Sequence, residues 1–290
     1  MLKGSFEVHQ PLLRVQAMLS EFSKAERRVA EAILTDQERT IRDSVTDLAE
    51  RAEVGETTVI RFCRKVGYRG YQEFKLALAQ DLVDVQGKTD SVLGPVGLED
   101  TPSLINQKLT QAISGVVQDT ASLLDLSQVE KAQELLLSAG RILAVGVGHS
   151  GVSVRDVGYR FLRLGLPVTM ETDSHLMAMR LSVASTTDVV FAISASGSTR
   201  DVVDAVSLAK DRGAQIICLT SHAHSPLARL ADCILLTTVR ESPFEGGSFA
   251  TKIAQMYVID LVATVVATRE PEATLTSVQT TAKAVVDKLY

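Results

Sequence analysis

The stretch Asp188–Thr220, DVVFAISASGSTRDVVDAVSLAKDRGAQIICLT, decides the fold of the larger part of this chain. It begins with a continuous run of β-branched and apolar residues and then passes through a loop of hydroxyl side chains around one glycine. A helical apolar period follows, and a second apolar run ends the stretch. Apolar runs without alternation are typical of parallel strands that are covered on both faces. The pattern therefore predicts a strand–helix–strand unit of an open α/β sheet.

The same alternation extends to both sides of this stretch. Apolar runs of this kind occur at 141–147, 167–171, 188–194, 214–220 and 232–238. Helical patterns separate them, and longer helical patterns lie at 103–138, 249–268 and 272–289. These features predict a doubly wound α/β domain whose five-stranded parallel sheet is flanked by helices.

The front of the chain shows only helical periodicity. The segment SKAERRVAEAIL begins with Ser23, and Glu26 follows three residues later, which is a capping-box pattern. Further on, one helix ends near Ala52 and another starts at Glu56 after a tight joint, which is the spacing of a helix-turn-helix. Residues 83–103 hold three glycines and two prolines without a clean period. We therefore predict an all-α domain over 1–82, a linker over 83–103 and the α/β domain over 104–290.

The composition is that of an ordinary globular protein, with 46% apolar residues, 22% charged residues and a net charge of −5. The three cysteines, Cys63, Cys218 and Cys233, are widely spaced, which argues against disulfides and a structural zinc site. The longest apolar candidate for a membrane span, 256–269, is short and is interrupted by Asp260. No signal peptide is evident. We expect a cytoplasmic protein without cofactor, metal site or membrane contact.

Positive charge is concentrated in the second helix of the predicted helix-turn-helix and just after it, because 57–76 carries five basic residues and one acidic residue. Arg can bind guanine through two nitrogens, and Thr and Glu can also contact base edges. Later basic and aromatic residues can hold phosphates. The predicted DNA-contacting set is Glu56, Thr57, Thr58, Arg61, Arg64, Lys65, Arg69, Tyr71 and Lys75. The alternative is a small helical domain with a solvated basic face.

Two strand-to-helix turns carry the features of a phosphate site. The first has Gly146, Gly148 and Gly151 around Ser150, and in the second four hydroxyl residues surround Gly197. Backbone amides at a helix N-terminus favour an anion, and capping alone explains one hydroxyl in a turn but not four. A third hydroxyl cluster, at 220–225, ends the next strand. The predicted phosphate-binding residues are Ser150, Ser194, Ser196, Ser198 and Thr199.

These motifs resemble a known family. VGVGHSGVSVRDVGYRFLRLG, DVVFAISASGSTRDVV and SPLARLADCILLT are similar to the sugar isomerase (SIS) phosphosugar-binding domain. LSEFSKAERRVAEAIL and SVTDLAERAEVGETTVIRFCRKVGYRGYQEF resemble the helix-turn-helix domain of the RpiR/MurR transcription regulators. The resemblance implies a homodimer or homotetramer that binds a double-stranded DNA operator with an inverted repeat near genes of sugar metabolism. It also implies that a sugar-phosphate effector modulates this binding.

Given the sugar phosphate that the resemblance implies, three further residues are candidate sugar-contacting groups, namely His149, His175 and Glu245. An aldose–ketose isomerase needs a base that moves a proton between carbons. The sequence shows no paired acid and base, no nucleophile with a positioned base and no metal cluster, so we predict no catalytic residue. A sugar-phosphate sensor is therefore favoured, and a sugar-phosphate isomerase and an oligomerising scaffold are the alternatives.

The sequence departs from the family pattern at two helix starts. Gly55 stands where the family often has Ser, which predicts a weaker cap for the DNA-reading helix. Ala250, Thr251 and Lys252 replace a common Ser-Arg pair, so the start of that helix is expected to treat its ligand differently.

Overall fold

The computed structural model describes residues 11–86, 96–97, 99–238 and 249–286, with the side chains of 83–86 excepted. These residues form two compact units. The first holds the described residues up to Ala112, and the second begins at Ile113.

The first unit is helical. Its helices are α1 (Pro11–Ala17), α2 (Lys24–Thr35), α3 (Gln37–Arg42), α4 (Val45–Arg51), α5 (Glu56–Lys65) and α6 (Tyr71–Gln86), with a 3-10 turn at Leu19–Glu21. The predicted capping box is present at Ser23, whose hydroxyl accepts from the Glu26 amide while the Glu26 carboxylate accepts from the Ser23 amide. Ser44 caps α4 in the same way with Asp47. The sequence patterns do not predict α1 and α3, which are only one to two turns long.

Aromatic side chains form the centre of this unit. Phe62 and Phe74 are fully buried, and the Phe62 ring lies 4.9 Å from the ring of Phe22 and 6.2 Å from that of Phe74, measured between centroids. Burial of each such side chain stabilises the fold by about 1.5–3 kcal/mol relative to exposure. The inner face of α5 is therefore packed in the core, and its opposite face is not needed for packing.

The second unit is an α/β domain. α7 (Pro102–Leu123) begins in the first unit and ends in the second. The elements that follow it are α8 (Leu126–Ser138), β1 (Arg141–Val145), α9 (Ser150–Arg163), β2 (Val168–Glu171), α10 (Ser174–Ser182), β3 (Asp188–Ile193), α11 (Arg200–Asp211), β4 (Gln215–Thr220), α12 (Pro226–Leu230), β5 (Cys233–Leu236), α13 (Phe249–Arg269) and α14 (Pro271–Val286). All strand pairs are parallel, and the order is β2-β1-β3-β4-β5. The predicted five-stranded parallel sheet is confirmed.

Helices cover both faces of this sheet. Residues of α8, α9 and α13 pack with one face, and residues of α10, α11 and α12 pack with the other. Because β3 is buried along its whole length, its side chains contribute to both cores, as its uninterrupted apolar run predicts.

The ends of the predicted linker are helical. α6 runs to Gln86 and α7 starts at Pro102, while residues 87–95 and 98 lie outside the described part of the chain. The division between compact units falls within α7, later than residue 104. The predicted division into a domain over 1–82, a linker over 83–103 and a domain over 104–290 stays a prediction.

Among the described helices, α13 is the only one long and apolar enough to cross a membrane, with a mean hydropathy of 1.5. The apolar stretch 256–269 forms the second part of this 21-residue helix. Its apolar character has another cause, since Val258, Ile259 and Val262 are fully buried against the sheet. Length and composition are therefore weak grounds for a span, and α13 is a core helix of the α/β domain.

Candidate functional sites

The predicted phosphate residues lie at the point where the strand order of the sheet reverses. β1 pairs with β2 on one side and with β3 on the other, and Val145 at the end of β1 lies opposite Ala192 near the end of β3. Ligands of open α/β sheets bind beyond the strand carboxyl ends at such a switch point. The loops after β1 and β3 emerge there side by side.

Both helices that follow these loops begin without a side-chain cap. His149 is the N-cap residue of α9 and Thr199 is that of α11, and neither side chain accepts a bond from its own helix. By contrast, capping side chains are present in α2, α3, α4, α8, α10 and α12. Uncapped amides and the positive end of a helix dipole favour an anion. Two such ends at neighbouring strands are suited to a phosphate.

The loop after β3 is organised by its own hydroxyls. The Ser194 and Thr199 hydroxyls lie 3.1 Å apart, and the Ser198 amide donates to the Ser196 hydroxyl over 3.2 Å. Ser194 is only 2% exposed, whereas Ser196, Ser198 and Thr199 are half-buried. Ser194 therefore orients Thr199, and Ser196, Ser198 and Thr199 are the more accessible hydroxyl residues of this loop.

Gly197 occupies a position in this loop that requires glycine. Its φ is +59°, in the left-handed region, and a Cβ at this position would lie 2.0 Å from Ser225 Oγ. Only glycine meets both conditions without strain. In the neighbouring loop, a Cβ on Gly146 would lie 2.7 Å from the Ile193 carbonyl oxygen, which shows how closely the two loops approach.

The third hydroxyl cluster serves the fold. Thr220 Oγ1 donates to the Ala195 carbonyl over 3.2 Å, the Ser221 and Thr237 hydroxyls lie 2.8 Å apart, and Ser225 caps α12. These bonds hold the β3 loop against the end of β4. The cluster therefore stabilises the loop after β3, which together with the loop after β1 we call the cradle.

The structure describes two of the three candidate sugar-contacting residues. His149 is exposed directly before Ser150, which is half-buried at the first position of α9. His175 is exposed in the first turn of α10, after β2. Glu245 lies outside the described residues. Their roles stay a prediction.

The first unit contains the predicted helix-turn-helix. α4 and α5 are joined by Ala52–Gly55, with Glu53 in the left-handed region at φ +52° and the Val54 amide donating to the Ala49 carbonyl over 2.9 Å. Gly55 provides no side-chain cap for α5, as predicted. Glu56 instead accepts a bond from the Thr46 hydroxyl over 2.9 Å, which ties α5 to α4.

The outer face of α5 carries most of the predicted DNA-contacting residues. The exposed members of the set are Thr57, Arg61, Arg64, Lys65 and Arg69, and the half-buried members are Glu56, Thr58 and Lys75. Val59 and Phe62 are fully buried on the opposite face. This division is the amphipathic pattern expected of a helix that reads the major groove.

Two basic side chains of the set are held within the domain. Lys65 Nζ lies 3.1 Å from a Glu26 carboxylate oxygen and donates to the Glu21 carbonyl over 2.7 Å. Lys75 Nζ donates to the Asp43 carbonyl over 2.7 Å. Both ammonium groups therefore contribute to packing between helices, and their predicted contacts with DNA compete with these bonds.

Tyr71 does not belong to the exposed face. It is 4% exposed, and its hydroxyl donates to the Thr40 carbonyl over 2.9 Å. Desolvation by burial raises the pKa of this phenol well above its usual value. The prediction that Tyr71 contacts phosphate is wrong, because this aromatic residue beside a basic run is part of the core.

Comparison with known proteins finds relatives for both parts of the chain. Residues 9–84 match the family model for the helix-turn-helix domain of the rpiR family, and residues 135–265 match the SIS domain model. The chain is 35% identical to the HTH-type transcriptional regulator HexR of Pseudomonas aeruginosa and also to that of Escherichia coli, over 89% and 87% of its length. The matches cover 89% and 86% of those proteins. The chain belongs to the rpiR family of transcriptional regulators.

A solved structure extends the likeness over both domains of this rpiR-family chain. The Vibrio vulnificus NanR protein, solved in complex with ManNAc-6P, has a TM-score of 0.87 and 34% sequence identity. The alignment covers 97% of the present chain and 99% of that one. The likeness in fold therefore spans nearly the whole length of the present chain.

Sequence reasoning missed a buried polar pair beside the cradle of the rpiR-family chain. Ser153, in the first turn of α9, donates to Gln255 Oε1 of α13 over 2.6 Å, and both residues are 1% exposed. Gln255 Nε2 has no partner among the described residues. The available signal was Gln255 itself, a polar residue that shares the otherwise mostly apolar period of α13 with Thr251. The pair links the start of α13, where Thr251 departs from the family pattern, to the uncapped end of α9.

Proposed function

We propose that this protein is a transcriptional regulator that binds a DNA operator through α5 and changes its affinity when a sugar phosphate occupies the SIS domain. The observation that carries the proposal is the pairing of two uncapped helix N-termini at the β1–β3 switch point. A basic helix-turn-helix lies in the same chain. The regulators among its relatives support this combination.

Ser150, Ser196, Ser198 and Thr199 are the proposed phosphate contacts, with Ser194 holding Thr199 in place. Hydroxyl and amide donors of this kind wrap the oxygens of a phosphate monoester. His149, His175 and Glu245 are the proposed sugar contacts. Because the NanR structure holds ManNAc-6P, an N-acetylated amino-sugar phosphate is the first effector to test.

On the DNA side, we propose that Arg61, Arg64 and the threonines of α5 contact bases, and that Arg69 contacts phosphate. A homodimer or homotetramer is proposed, because two helix-turn-helix units meet an inverted repeat at half-sites about one helical turn apart. A cytoplasmic location follows from this role. Effector shifts DNA affinity by its differential affinity for the two states of the assembly.

The proposed absence of enzymatic activity is separately testable. Full-length protein is incubated with ManNAc-6P and with a panel of hexose phosphates, and the sugars are followed by nuclear magnetic resonance. We expect no interconversion, because the sequence shows no paired acid and base that could move a proton between carbons. Turnover that depends on Glu245 would favour the isomerase alternative.

One binding experiment tests the regulator proposal. A DNA duplex is first selected from a random-sequence pool with the full-length protein, and its affinity is then measured by fluorescence anisotropy at fixed salt, because phosphate contacts make affinity salt-dependent. ManNAc-6P is expected to change this affinity by roughly 5-fold or more. Unphosphorylated ManNAc is the matched control and is expected to have no effect.

The outcomes separate the two halves of the proposal. If the selection enriches no sequence, α5 is a solvated face and the DNA role fails. If a sequence is enriched but no sugar phosphate changes its affinity or stabilises the protein against heat, the sensor role fails and the SIS domain serves as an oligomerising scaffold.

A further inference from the structure

Glu26 of α2 lies beneath the basic face of the DNA-reading helix. It is 5% exposed, one carboxylate oxygen lies 3.1 Å from Lys65 Nζ, and the other lies 3.7 Å from Arg61 Nε. The two cations belong to α5 and are one helical turn apart. A single buried carboxylate therefore engages two of the residues predicted to contact DNA.

The carboxylate of Glu26 is fixed in place and charged. The Ser23 amide donates to it over 2.9 Å in the capping box of α2. This bond lowers the pKa of Glu26, against the opposing effect of desolvation. The group therefore presents a constant negative charge to α5 at neutral pH.

We propose that Glu26 is a positioning residue for sequence reading, which holds Arg61 in place and keeps the Lys65 ammonium away from the DNA backbone. The inference rests on the proposed DNA-binding function of α5. Arg61 is 65% exposed on its side chain and is engaged through Nε, and an arginine can still bind guanine through its terminal nitrogens. Lys65 is bound by Glu26 and by the Glu21 carbonyl.

The physical consequence concerns specificity. Phosphate contacts add affinity without sequence information, whereas base contacts discriminate. A carboxylate that restrains Arg61 and neutralises Lys65 reduces sequence-independent attraction and limits the geometries available to the arginine. Removal of its charge frees both cations for phosphates, so binding to any duplex becomes stronger while the preference for the operator falls.

Glu26→Gln is the appropriate variant, because glutamine also serves as the third residue of a capping box. Glu31→Gln is the matched control, since Glu31 lies on the same helix, is exposed and loses the same charge. Thermal melts of both variants are compared with the parent to confirm that the first unit remains folded. Each full-length protein is titrated with the selected duplex and a scrambled duplex across a series of salt concentrations.

For Glu26→Gln we expect the ratio of selected to scrambled affinity to fall by about tenfold, within the range of one bidentate base contact. The slope of log affinity against log salt on the scrambled duplex is expected to become steeper by about 0.9 for each further phosphate that the freed cations neutralise. Glu31→Gln is expected to keep the parent's ratio and slope. A merely structural role for Glu26 moves the melting temperature and leaves the slope unchanged.

A double-mutant cycle shows whether Glu26 acts through Arg61. In an Arg61→Gln background, Glu26→Gln is expected to change the specificity ratio by less than about twofold, because coupled residues are not additive. A parent-like ratio and slope in the single Glu26→Gln variant would overturn the inference while operator binding by the parent stands. A selection that enriches no sequence overturns the proposed function and this inference with it.

Discussion

Gly197 and Gly148 form a natural pair for testing the geometry of the proposed phosphate site. Both glycines have a φ of +59°, and each lies in a loop that faces the switch point. A Cβ on Gly148 would meet no atom within 4 Å, whereas a Cβ on Gly197 would lie 2.0 Å from Ser225 Oγ and 2.9 Å from Thr220 Oγ1. Replacement by alanine therefore imposes the same backbone strain at both positions, and it adds a steric clash at Gly197 but not at Gly148.

The two substitutions are expected to differ in cost by the clash alone. An L-residue in the left-handed region costs about 1–2 kcal/mol, which is the whole effect expected for Gly148→Ala. Overpacking of a filled site adds about 1–3 kcal/mol at Gly197. Ser225 is fully buried and caps α12, so it has little freedom to move aside. The expected total for Gly197→Ala is about 2–5 kcal/mol.

The assay is equilibrium unfolding in urea, followed by far-ultraviolet circular dichroism because the chain contains no tryptophan. The free energy of unfolding of the α/β unit is compared for the parent, Gly148→Ala and Gly197→Ala. ManNAc-6P binding is measured on the same proteins, and only Gly197→Ala is expected to weaken it through displacement of the loop. Equal destabilisation by the two substitutions would refute the claim that the β3 loop is packed against Ser225.

Three further predictions concern single side chains. Ser196→Ala is expected to weaken effector binding by about 1.5–3 kcal/mol, the contribution of a hydrogen bond to a charged group, and to leave operator affinity unchanged in the anisotropy assay. Unchanged effector affinity would remove Ser196 from the cradle. Arg61→Ala is expected to weaken operator binding by about 1–3 kcal/mol with effector affinity unchanged, and parent-like operator binding would contradict the placement of α5 on DNA. Tyr71→Phe is expected to lower the free energy of unfolding by about 1 kcal/mol without changing the salt dependence of DNA binding. A shallower salt slope would mean that this hydroxyl does contact phosphate.

Much of the fold could be predicted because its signals are local. The capping box of Ser23 and Glu26, the spacing between α4 and α5 and the apolar runs of β1 to β5 each depend on residues near one another in sequence. The hydroxyl loop within Asp188–Thr220 could be singled out as a candidate phosphate site for the same reason. Short elements such as α3 escaped prediction because one turn and a half of helix carries too little periodicity.

The features that the sequence could not show have a different cause. The sequence pattern places Tyr71 on the exposed basic face and gives no sign that the Lys65 ammonium is bound within the domain, because their partners, Thr40 and Glu26, are 31 and 39 residues away. It also groups Ser194 with its neighbours, although the burial of Ser194 sets it apart from them. Burial and partner choice depend on which surfaces meet after folding, and amphipathic side chains such as Tyr and Lys satisfy either environment.

The amino-acid sequence by itself determined the class of this protein, because helical and strand periods, turn glycines and hydroxyl-rich loops act over a few residues and need no partner elsewhere. Only the tertiary structure decided how these pieces serve a site. It brought the ends of β1 and β3 together, left α9 and α11 uncapped beside each other, and placed Glu26 beneath α5. Such relations join residues far apart in the chain, and their geometry follows from the packing of whole helices and strands.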